Sequence, residues 1–339
     1  MKAGILYSKN DIRYGDWETP KAGAGELVVK VKATGICGSD IPRVLGDEAK
    51  YYPIILGHEF SGEVVEIGEN VSGFELGDRI SGAPLLPCMK CTDCANGNYS
   101  LCKFYSFIGS RVAGSFAEYV KLPAANAVKF SSDVTFELAA FFEPSTVALH
   151  GIRCANLAGG KDTAVVGGGT IGLFTMQWAK IMGAKSVTVF DISNKRLELA
   201  SKLGADFVVN TRESGLPDQK YDYVFETAGH PATMIDSFEI ASNKSSVCFI
   251  GTPHVPVTFT QKQWENMNRK EFKLTGSWMS YSAHFPGEEW TLTSHYFGTG
   301  DLKFDDGLIF ARYPLAEIDK AFDLFRNGNV GGKVMLINE

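Results

Sequence analysis

Four of the seven cysteines lie close together between positions 88 and 102, with the spacing C-x2-C-x2-C-x7-C. They are Cys88, Cys91, Cys94 and Cys102. Four thiolates can close a tetrahedral shell around zinc and leave no position for a substrate. The pattern therefore predicts a structural zinc site that orders the surrounding loop. An iron–sulfur cluster is the alternative, because short cysteine spacings also hold such clusters.

Further metal-ligating residue types are spread over the first part of the chain. Cys37 stands alone, His58 is followed by Glu59, and Glu143 lies in an otherwise apolar segment. Gly62 stands where the second histidine of H-E-x-x-H would be, which excludes the metalloprotease pattern. A buried carboxylate is costly unless it is paired or bound to metal. Cysteine, histidine and glutamate with one open position would make a catalytic zinc site, although spacing alone does not decide this.

A glycine-rich turn with the spacing G-x-G-x-x-G occupies positions 167–172. Its candidate cofactor-binding residues are Gly167, Gly169, Thr170, Ile171 and Gly172. The turn follows a predicted strand at 163–166 and opens a predicted helix that runs through 177–182. In that context the backbone approaches a pyrophosphate at the helix N-terminus. The segment predicts a dinucleotide site, and a plain strand–helix turn is the alternative.

An acidic residue stands at the end of the next predicted strand, 19 residues beyond Gly172. This residue, Asp191, is at the right distance to accept hydrogen bonds from the adenosine ribose. A carboxylate would repel a 2′-phosphate, so NAD is favoured over NADP. Lys195 and Arg196 weaken that preference, because a nearby cation tolerates the phosphate.

Two kinds of element must position these residues. Up to about position 150 the chain has short β-runs broken by glycine and proline, such as 27–33 and 63–67, which indicates a barrel-like β domain. From 162, strands alternate with helices, which indicates βαβ units and a parallel sheet. The predicted strands there are 163–166, 186–190, 206–209, 221–225 and 246–250, and a predicted helix spans 194–203. A helix at 315–326 and a strand at 332–337 return to the first domain.

We therefore predict two domains. Residues 1–151 and 285–339 form a β-rich, zinc-binding catalytic domain, and residues 152–284 form a dinucleotide-binding domain. A chain of 339 residues exceeds most single hydrophobic cores, which agrees with this division.

Composition excludes several classes of partner. The net charge is −6, from 33 basic and 39 acidic residues, and no basic stripe is present. Nucleic acid and anionic membranes are therefore not expected as partners. No apolar run reaches the roughly 18 residues of a membrane span, and the first residues do not resemble a signal peptide. We expect a cytoplasmic protein.

The residues above together resemble the zinc-containing medium-chain dehydrogenase family over essentially the whole chain. The segment from Gly57 to Val71 matches the family signature G-H-E-x2-G-x5-G-x2-V at every fixed position. The resemblance implies a GroES-like β-barrel catalytic domain and a Rossmann domain with a doubly wound parallel sheet. It also implies two zinc ions per chain, NAD as cofactor, and a homodimer or homotetramer.

The resemblance also implies roles for single residues. Cys37, His58 and Glu143 are the implied catalytic zinc ligands, and Glu59 is an alternating ligand or a group behind the ligands. Glutamate at 143 places the chain nearer the polyol and threonine dehydrogenases than the simple alcohol dehydrogenases. Pro42 stands where the family often has a histidine proton relay. Proton release would then go through Ser39, a zinc-bound water or a solvent chain, and Ser39 could alternatively be a turn-forming serine.

For the substrate, the resemblance implies a polyol phosphate similar to galactitol 1-phosphate, oxidised at a secondary hydroxyl. Arg43 and Arg111 lie in segments that would border the zinc site and could hold a phosphate through a bidentate fork. Each could equally be a solvated surface arginine. A free polyol or threonine on the same zinc site is the second hypothesis, and a nucleotide-binding sensor without catalysis is the third.

Overall fold

The computed structural model describes residues 1–328 and 330–338. The chain forms two compact units. The first comprises Met1–Glu143, Tyr281–Thr299 and Ile309–Glu339, and the second comprises Pro144–Ser280 and Gly300–Leu308. The division expected from the sequence, into residues 1–151 with 285–339 and residues 152–284, remains a prediction.

The strands are numbered in chain order over both units. They are β1 (Lys2–Ser8), β2 (Asp11–Asp16), β3 (Glu26–Ile36), β4 (Ile54–Ile55), β5 (Glu59–Ile67), β6 (Arg79–Gly82), β7 (Leu85–Leu86), β8 (Ser106–Phe107), β9 (Tyr119–Pro123), β10 (Ala127–Lys129), β11 (Asp162–Val166), β12 (Ser186–Asp191), β13 (Phe207–Asn210), β14 (Tyr221–Glu226), β15 (Ala241–Phe249), β16 (Lys273–Gly276), β17 (Ile309–Pro314) and β18 (Lys333–Ile337).

The α-helices are numbered in the same way. They are α1 (Ile41–Leu45), α2 (Thr92–Ala95), α3 (Phe136–Ala139), α4 (Phe142–Cys154), α5 (Thr170–Ile181), α6 (Asn194–Leu203), α7 (Thr211–Ser214), α8 (Pro231–Ile240), α9 (Gln261–Lys270), α10 (Glu288–Thr299) and α11 (Ile318–Arg326). The predicted helix at 315–326 differs at its start, because residues Leu315–Glu317 form a 3-10 turn that Pro314 precedes.

The first unit is built on a seven-stranded sheet. Its order is β10-β6-β5-β3-β18-β17, and β9 also pairs with β3. The long strand β3 lies between β5 and β18, antiparallel to both. Apolar residues of β3, β5 and β9 point into one core, which includes Leu27, Val29 and Phe60. This arrangement brings the end of β3 beside the start of β5 and the start of β18.

The second unit is built on a six-stranded sheet in the order β13-β12-β11-β14-β15-β16. Every neighbouring pair in it is parallel. Numbered within the unit, this is the doubly wound order 3-2-1-4-5-6 of a Rossmann sheet. Helix α6 ends at Gly204, whose φ of 109° closes the helix in the left-handed conformation.

Candidate metal and dinucleotide sites

The four clustered cysteines form a compact group in the first unit. Cys91 Sγ lies 3.5 Å from Cys94 Sγ and 3.8 Å from Cys102 Sγ, and the Cys88 and Cys94 sulfurs are 3.9 Å apart. A tetrahedral site with Zn–S bonds of about 2.3 Å has sulfur–sulfur edges of roughly 3.8 Å. The group therefore fits one zinc ion with a closed shell.

Backbone N–H groups already favour thiolate at one corner of this group. The N–H groups of Lys90 and Cys91 point at the sulfur of Cys88 and lower the pKa of that thiol to about 6. Burial raises the pKa of Cys94 to about 12, so a metal must displace that proton when it binds.

A second group lies where the end of β3 meets the starts of β5 and β18. Ligand atoms of Cys37, His58 and Glu59 all lie within 4.8 Å of one another. Cys37 follows the end of β3, His58 precedes β5, and Glu59 begins β5 opposite Gly35 of β3. The strand pairing, rather than sequence proximity, brings the cysteine to the histidine and the glutamate.

Asp40 lies behind these side chains and is fully buried. Its Oδ2 accepts a hydrogen bond of 3.1 Å from the backbone N–H of Cys37. Its Oδ1 lies 3.6 Å from His58 Nδ1 and 3.6 Å from Arg43 Nη1. Burial raises the pKa of Asp40, while His58 and Arg43 counteract that rise. Asp40 therefore links Cys37, His58 and Arg43.

The group fits a zinc ion by its chemistry. Thiol, imidazole and carboxylate are zinc ligands, and the side chains are buried or half-buried. Within residues 1–328 and 330–338, His58 Nδ1 and Asp40 Oδ1 are buried without a hydrogen-bond partner. Burial and the charge of Glu59 raise the pKa of Cys37, so metal binding must release a proton there.

Glu143 is the second residue of α4. Burial raises the pKa of Glu143 to about 7, and the charges of His58, Glu59, Lys333 and Asp40 also act on it. Glu143 is therefore part of the same electrostatic site. The ligand atoms of Glu59, Cys37 and His58 lie close enough to share one metal ion. The ligand role of Glu143 remains a prediction.

The dinucleotide turn lies in the second unit between β11 and α5. Gly167 has a φ of 107°, in the region that favours glycine. Gly169 is the N-cap of α5, and a Cβ on Gly172 would collide with the carbonyl oxygen of Gly167. The turn thus needs glycine at 167 and 172, whereas a Cβ on Gly169 would meet nothing within 4 Å. The turn lies at the carboxyl end of β11, where Rossmann sheets bind ligands. Thr170 and Ile171 form the first turn of α5.

Asp191 ends β12 and is held beside this turn. Its Oδ2 accepts a hydrogen bond of 2.7 Å from the N–H of Gly168, and its Oδ1 accepts one of 2.8 Å from Ser193. Arg196 Nη1 lies 3.6 Å from Asp191 Oδ2. Asp191, which would favour NAD, and Arg196, which would tolerate NADP, are therefore neighbours.

Arg43 and Arg111 line one polar cavity of about 460 Å³ in the first unit. Arg43 Nη1 donates to Ser39 O at 2.6 Å and to Ser39 Oγ at 2.9 Å. Arg111 Nη1 donates to the carbonyl of Tyr105 at 2.7 Å, and its guanidinium lies 3.9 Å from the centre of the Tyr105 ring. The arginines are thus held in place, with further N–H groups beyond those bonds.

Two residues that contact the metal group, Asp40 and Lys333, were not predicted from the sequence. Asp40 lies three residues after Cys37, a short spacing that could have drawn attention to it. Lys333, the first residue of β18, donates to Glu59 Oε1 at 2.7 Å. Burial by itself lowers the pKa of Lys333, but Glu59 and Cys37 outweigh burial and raise it.

Comparison with known proteins identifies the family. Residues 23–132 match the alcohol dehydrogenase GroES-like domain, and residues 170–294 match the zinc-binding dehydrogenase domain. The chain is a zinc-dependent medium-chain dehydrogenase. The predicted fold class, a GroES-like β domain with a Rossmann domain, is confirmed, and so is the prediction of an enzyme.

Among relatives of this dehydrogenase, galactitol 1-phosphate 5-dehydrogenase of Escherichia coli K12 is 39% identical over 92% of each chain. The crystal structure of the E. coli galactitol-1-phosphate dehydrogenase has a TM-score of 0.94 and covers 100% of both chains at 37% identity. L-threonine 3-dehydrogenase of Colwellia psychrerythraea is 33% identical over 94% of each chain. These proteins confirm the predicted resemblance to the polyol and threonine branch.

The cofactors follow from the same comparison. A zinc-binding dehydrogenase of Sinorhizobium meliloti bound to NADP is 30% identical, with a TM-score of 0.90 over 99% of both chains. Zinc and a nicotinamide dinucleotide are therefore confirmed as the cofactors of this dehydrogenase. Among the helices that the structure describes, none combines the length and apolar character needed to cross a membrane.

Proposed function

We propose that this dehydrogenase oxidises a secondary hydroxyl of a polyol phosphate to a ketose phosphate, with NAD as acceptor. Cys37, His58 and Glu143 would hold the catalytic zinc, with Glu59 as a further carboxylate. Cys88, Cys91, Cys94 and Cys102 would hold the structural zinc. The observation that carries the substrate proposal is the cavity lined by both Arg43 and Arg111.

The cavity is connected to the candidate zinc ligands through Arg43. Its guanidinium lies 3.6 Å from Asp40, whose other contacts are His58 and the backbone of Cys37. Phe107, four residues before Arg111 in the chain, packs edge-on against His58 with ring centroids 5.5 Å apart. A substrate with its phosphate in the cavity would therefore have its carbon chain beside the metal ligands.

The charge of the cavity supports a dianion. Arg43, Lys50 and Arg111 line it together with Asp47 and Glu48. Asp47 is 2.8 Å from Lys9, which offsets its charge. Arg43 shares its charge with the buried Asp40, so Lys50 and Arg111 are the cations that outweigh Glu48. Arginine binds phosphate through paired N–H groups with geometry that lysine does not match.

Ser39 is the residue that we propose to accept the proton of the substrate hydroxyl. Its Oγ accepts a hydrogen bond from Arg43, which leaves one lone pair and the O–H hydrogen. Ser39 could thus accept the proton of the substrate hydroxyl while donating its own toward solvent. Zinc bound at the site would supply Lewis acidity that favours loss of this proton, and the nicotinamide would accept the hydride.

Asp191 supports NAD rather than NADP. It is 8% exposed and is anchored by two backbone N–H groups, so its carboxylate cannot move away from a 2′-phosphate without losing those bonds. Arg196 beside it is half-exposed and is the residue that would tolerate NADP. Gly167, Gly169 and Gly172 would allow the pyrophosphate to approach the start of α5.

The substrate proposal is tested by comparing kcat/KM for polyol phosphates, free polyols and threonine. A charge-assisted hydrogen bond contributes about 1.5–3 kcal/mol, so Arg43→Ala or Arg111→Ala should lower kcat/KM for the phosphate roughly ten- to a hundredfold. In Arg111→Ala the free polyol should lose much less, whereas Arg43→Ala should also slow the free polyol, because Arg43 holds Ser39 and contacts Asp40. Arg13→Ala, an exposed arginine paired with Asp11, is the control. Equal turnover of free and phosphorylated polyols would overturn the proposal.

Threonine is the second candidate substrate, because relatives of similar length carry that activity. The cavity also has a feature that suits an amino acid: Glu48 and Arg111 could face the ammonium and the carboxylate of one zwitterion. Turnover of threonine but of no polyol phosphate would favour this candidate.

We also propose a cytoplasmic homodimer or homotetramer. In the part of the chain that the structure describes, none of the seven cysteines forms a disulfide, which suits a reducing compartment. The strand β16 ends its sheet and carries Leu274 with 39% exposure, which a second copy could cover. Light scattering on the purified protein gives the oligomer size, and a monomeric mass would contradict the proposal.

A further inference from the structure

A buried ion pair lies beside the candidate zinc ligands. Lys333 Nζ is 2.7 Å from Glu59 Oε1 and 2.5 Å from Glu59 Oε2. Lys333 is 8% exposed and Glu59 is 2% exposed. Two charges removed from water lose several kcal/mol of hydration each, and a hydrophobic pair of the same volume is often more stable. Stability alone therefore gives no reason for this pair.

Neighbouring residues leave room for the pair. Gly35 faces Glu59 across the β3–β5 ladder. A Cβ on Gly35 would collide with Glu59 Oε2 and would lie 3.1 Å from Lys333 Cδ. Lys333 Nζ also lies 3.4 Å from the carbonyl oxygen of Ile36, which is the residue before Cys37. The lysine is thus held against the end of β3 with its charge on one carboxylate.

That carboxylate also belongs to the metal group. An oxygen of Glu59 lies within 4.8 Å of ligand atoms of Cys37 and His58. A metal ion at this site and the ammonium of Lys333 would therefore compete for the same carboxylate. We propose that Lys333 is a positioning residue that restrains Glu59 from permanent zinc ligation and thereby sets how fast zinc leaves Cys37 and His58. The inference rests on the zinc site of the proposed function, but not on its substrate.

The restraint has a chemical purpose. A catalytic zinc keeps one position open for substrate, whereas a structural zinc has four protein ligands. If Glu143 is the third ligand, Glu59 would fill the fourth place and close the site. Lys333 opposes this closure, because Glu59 must give up a charge-assisted hydrogen bond to join the metal.

The experiment follows zinc release from the purified holoenzyme into a colorimetric chelator. Lys333→Met removes the ammonium that competes with zinc for Glu59. Release of the zinc held by Cys37 and His58, which we expect to be the faster of the two, should therefore slow roughly ten- to a hundredfold. Lys333→Arg keeps the charge and should release zinc at the wild-type rate. Zinc from the four-cysteine group should leave more slowly, and its release rate, which should not change in the variants, is the internal reference.

A double variant separates this effect from a general structural one. Glu59→Gln removes the anionic oxygen for which lysine and zinc compete, so Glu59→Gln with and without Lys333→Met should release zinc at the same rate. Lys333→Gln replaces Lys333→Met if the latter does not fold, because it keeps a hydrogen-bond donor without the charge.

Two results would overturn the inference: unchanged or faster release in Lys333→Met, or an equal effect of that change in the Glu59→Gln background. Neither result affects the proposed zinc site, provided that the wild type contains two zinc ions. A wild type with one zinc and no fast phase would instead refute the zinc site itself.

Discussion

Asp40 Oδ1 lies 3.6 Å from His58 Nδ1, and the Asp40 side chain is completely buried. The same carboxylate accepts a hydrogen bond from the backbone N–H of Cys37. One residue therefore contacts two candidate ligands, of which Cys37 follows β3 and His58 precedes β5. Groups behind metal ligands fix ligand orientation and raise ligand basicity.

The first prediction follows from this contact. Asp40→Asn keeps an oxygen for the Cys37 N–H but removes the negative charge beside His58. We expect zinc affinity or kcat/KM to fall roughly ten- to a hundredfold, as for other residues behind metal ligands. Zinc content and steady-state kinetics measure this. Asp16→Asn, an exposed aspartate paired with Lys2, is the control. Full zinc content with wild-type kinetics would show that Asp40 does not position the ligands.

The second prediction concerns the four-cysteine group. Cys91→Ser should remove one of two zinc ions and make the segment 88–102 susceptible to protease, because a closed zinc shell orders its loop. Elemental analysis and limited proteolysis measure these effects. Cys154→Ser, which changes a half-buried cysteine outside both metal groups, should leave two zinc ions. Iron with visible absorbance in the wild type would refute the assignment in favour of an iron–sulfur cluster.

Much of the site could be predicted because its signals are local. The cysteine spacing and the glycine turn each occupy one short segment, and their geometry follows from residue type and the neighbouring elements. Asp191 was found by its distance from Gly172. Local spacing also predicted most strands of the second unit, since alternation of strand and helix is a periodic signal.

The remainder depends on tertiary pairing. Lys333 and Glu59 are 274 positions apart and meet only because β3 lies between β5 and β18. No periodicity or motif marks that lysine. Arg43 and Arg111 could each be singled out by residue type, but the shared cavity appears only when the chain is folded.

The third prediction is a pH dependence of stability from Glu226, at the end of β14. The side chain is fully buried, and its Oε1 accepts hydrogen bonds from Ala228 N–H, Gly229 N–H and Thr233. Burial raises the pKa of Glu226, and these hydrogen bonds offset only part of the rise. The folded protein therefore keeps a proton at pH values where the unfolded chain has lost it.

The sign follows from linkage. The contribution of Glu226 to stability is complete below the unfolded pKa of about 4.3 and is lost as the pH rises through the higher folded pKa. Glu226→Gln does not titrate, so the Tm of the variant relative to the wild type should increase from pH 4 to pH 7. Thermal unfolding at several pH values measures this, with exposed Glu198→Gln as control. A constant difference in Tm would contradict the prediction.

The last prediction concerns cofactor choice at Asp191. Asp191→Ser removes the charge that would repel a 2′-phosphate. It also removes the carboxylate that lies 3.6 Å from Arg196, so that Arg196 becomes available to bind the phosphate. Loss of the ribose hydrogen bonds should weaken NAD, so the ratio of kcat/KM for NADP over NAD should rise at least about tenfold, the equivalent of one charge-assisted hydrogen bond. When Arg196→Ala is added to Asp191→Ser, most of the increase in kcat/KM for NADP should disappear. The kcat/KM for NAD should stay as low as in Asp191→Ser alone. Kinetics with both cofactors at saturating substrate separate these effects. A wild type that already prefers NADP would show that Arg196, rather than Asp191, determines the choice.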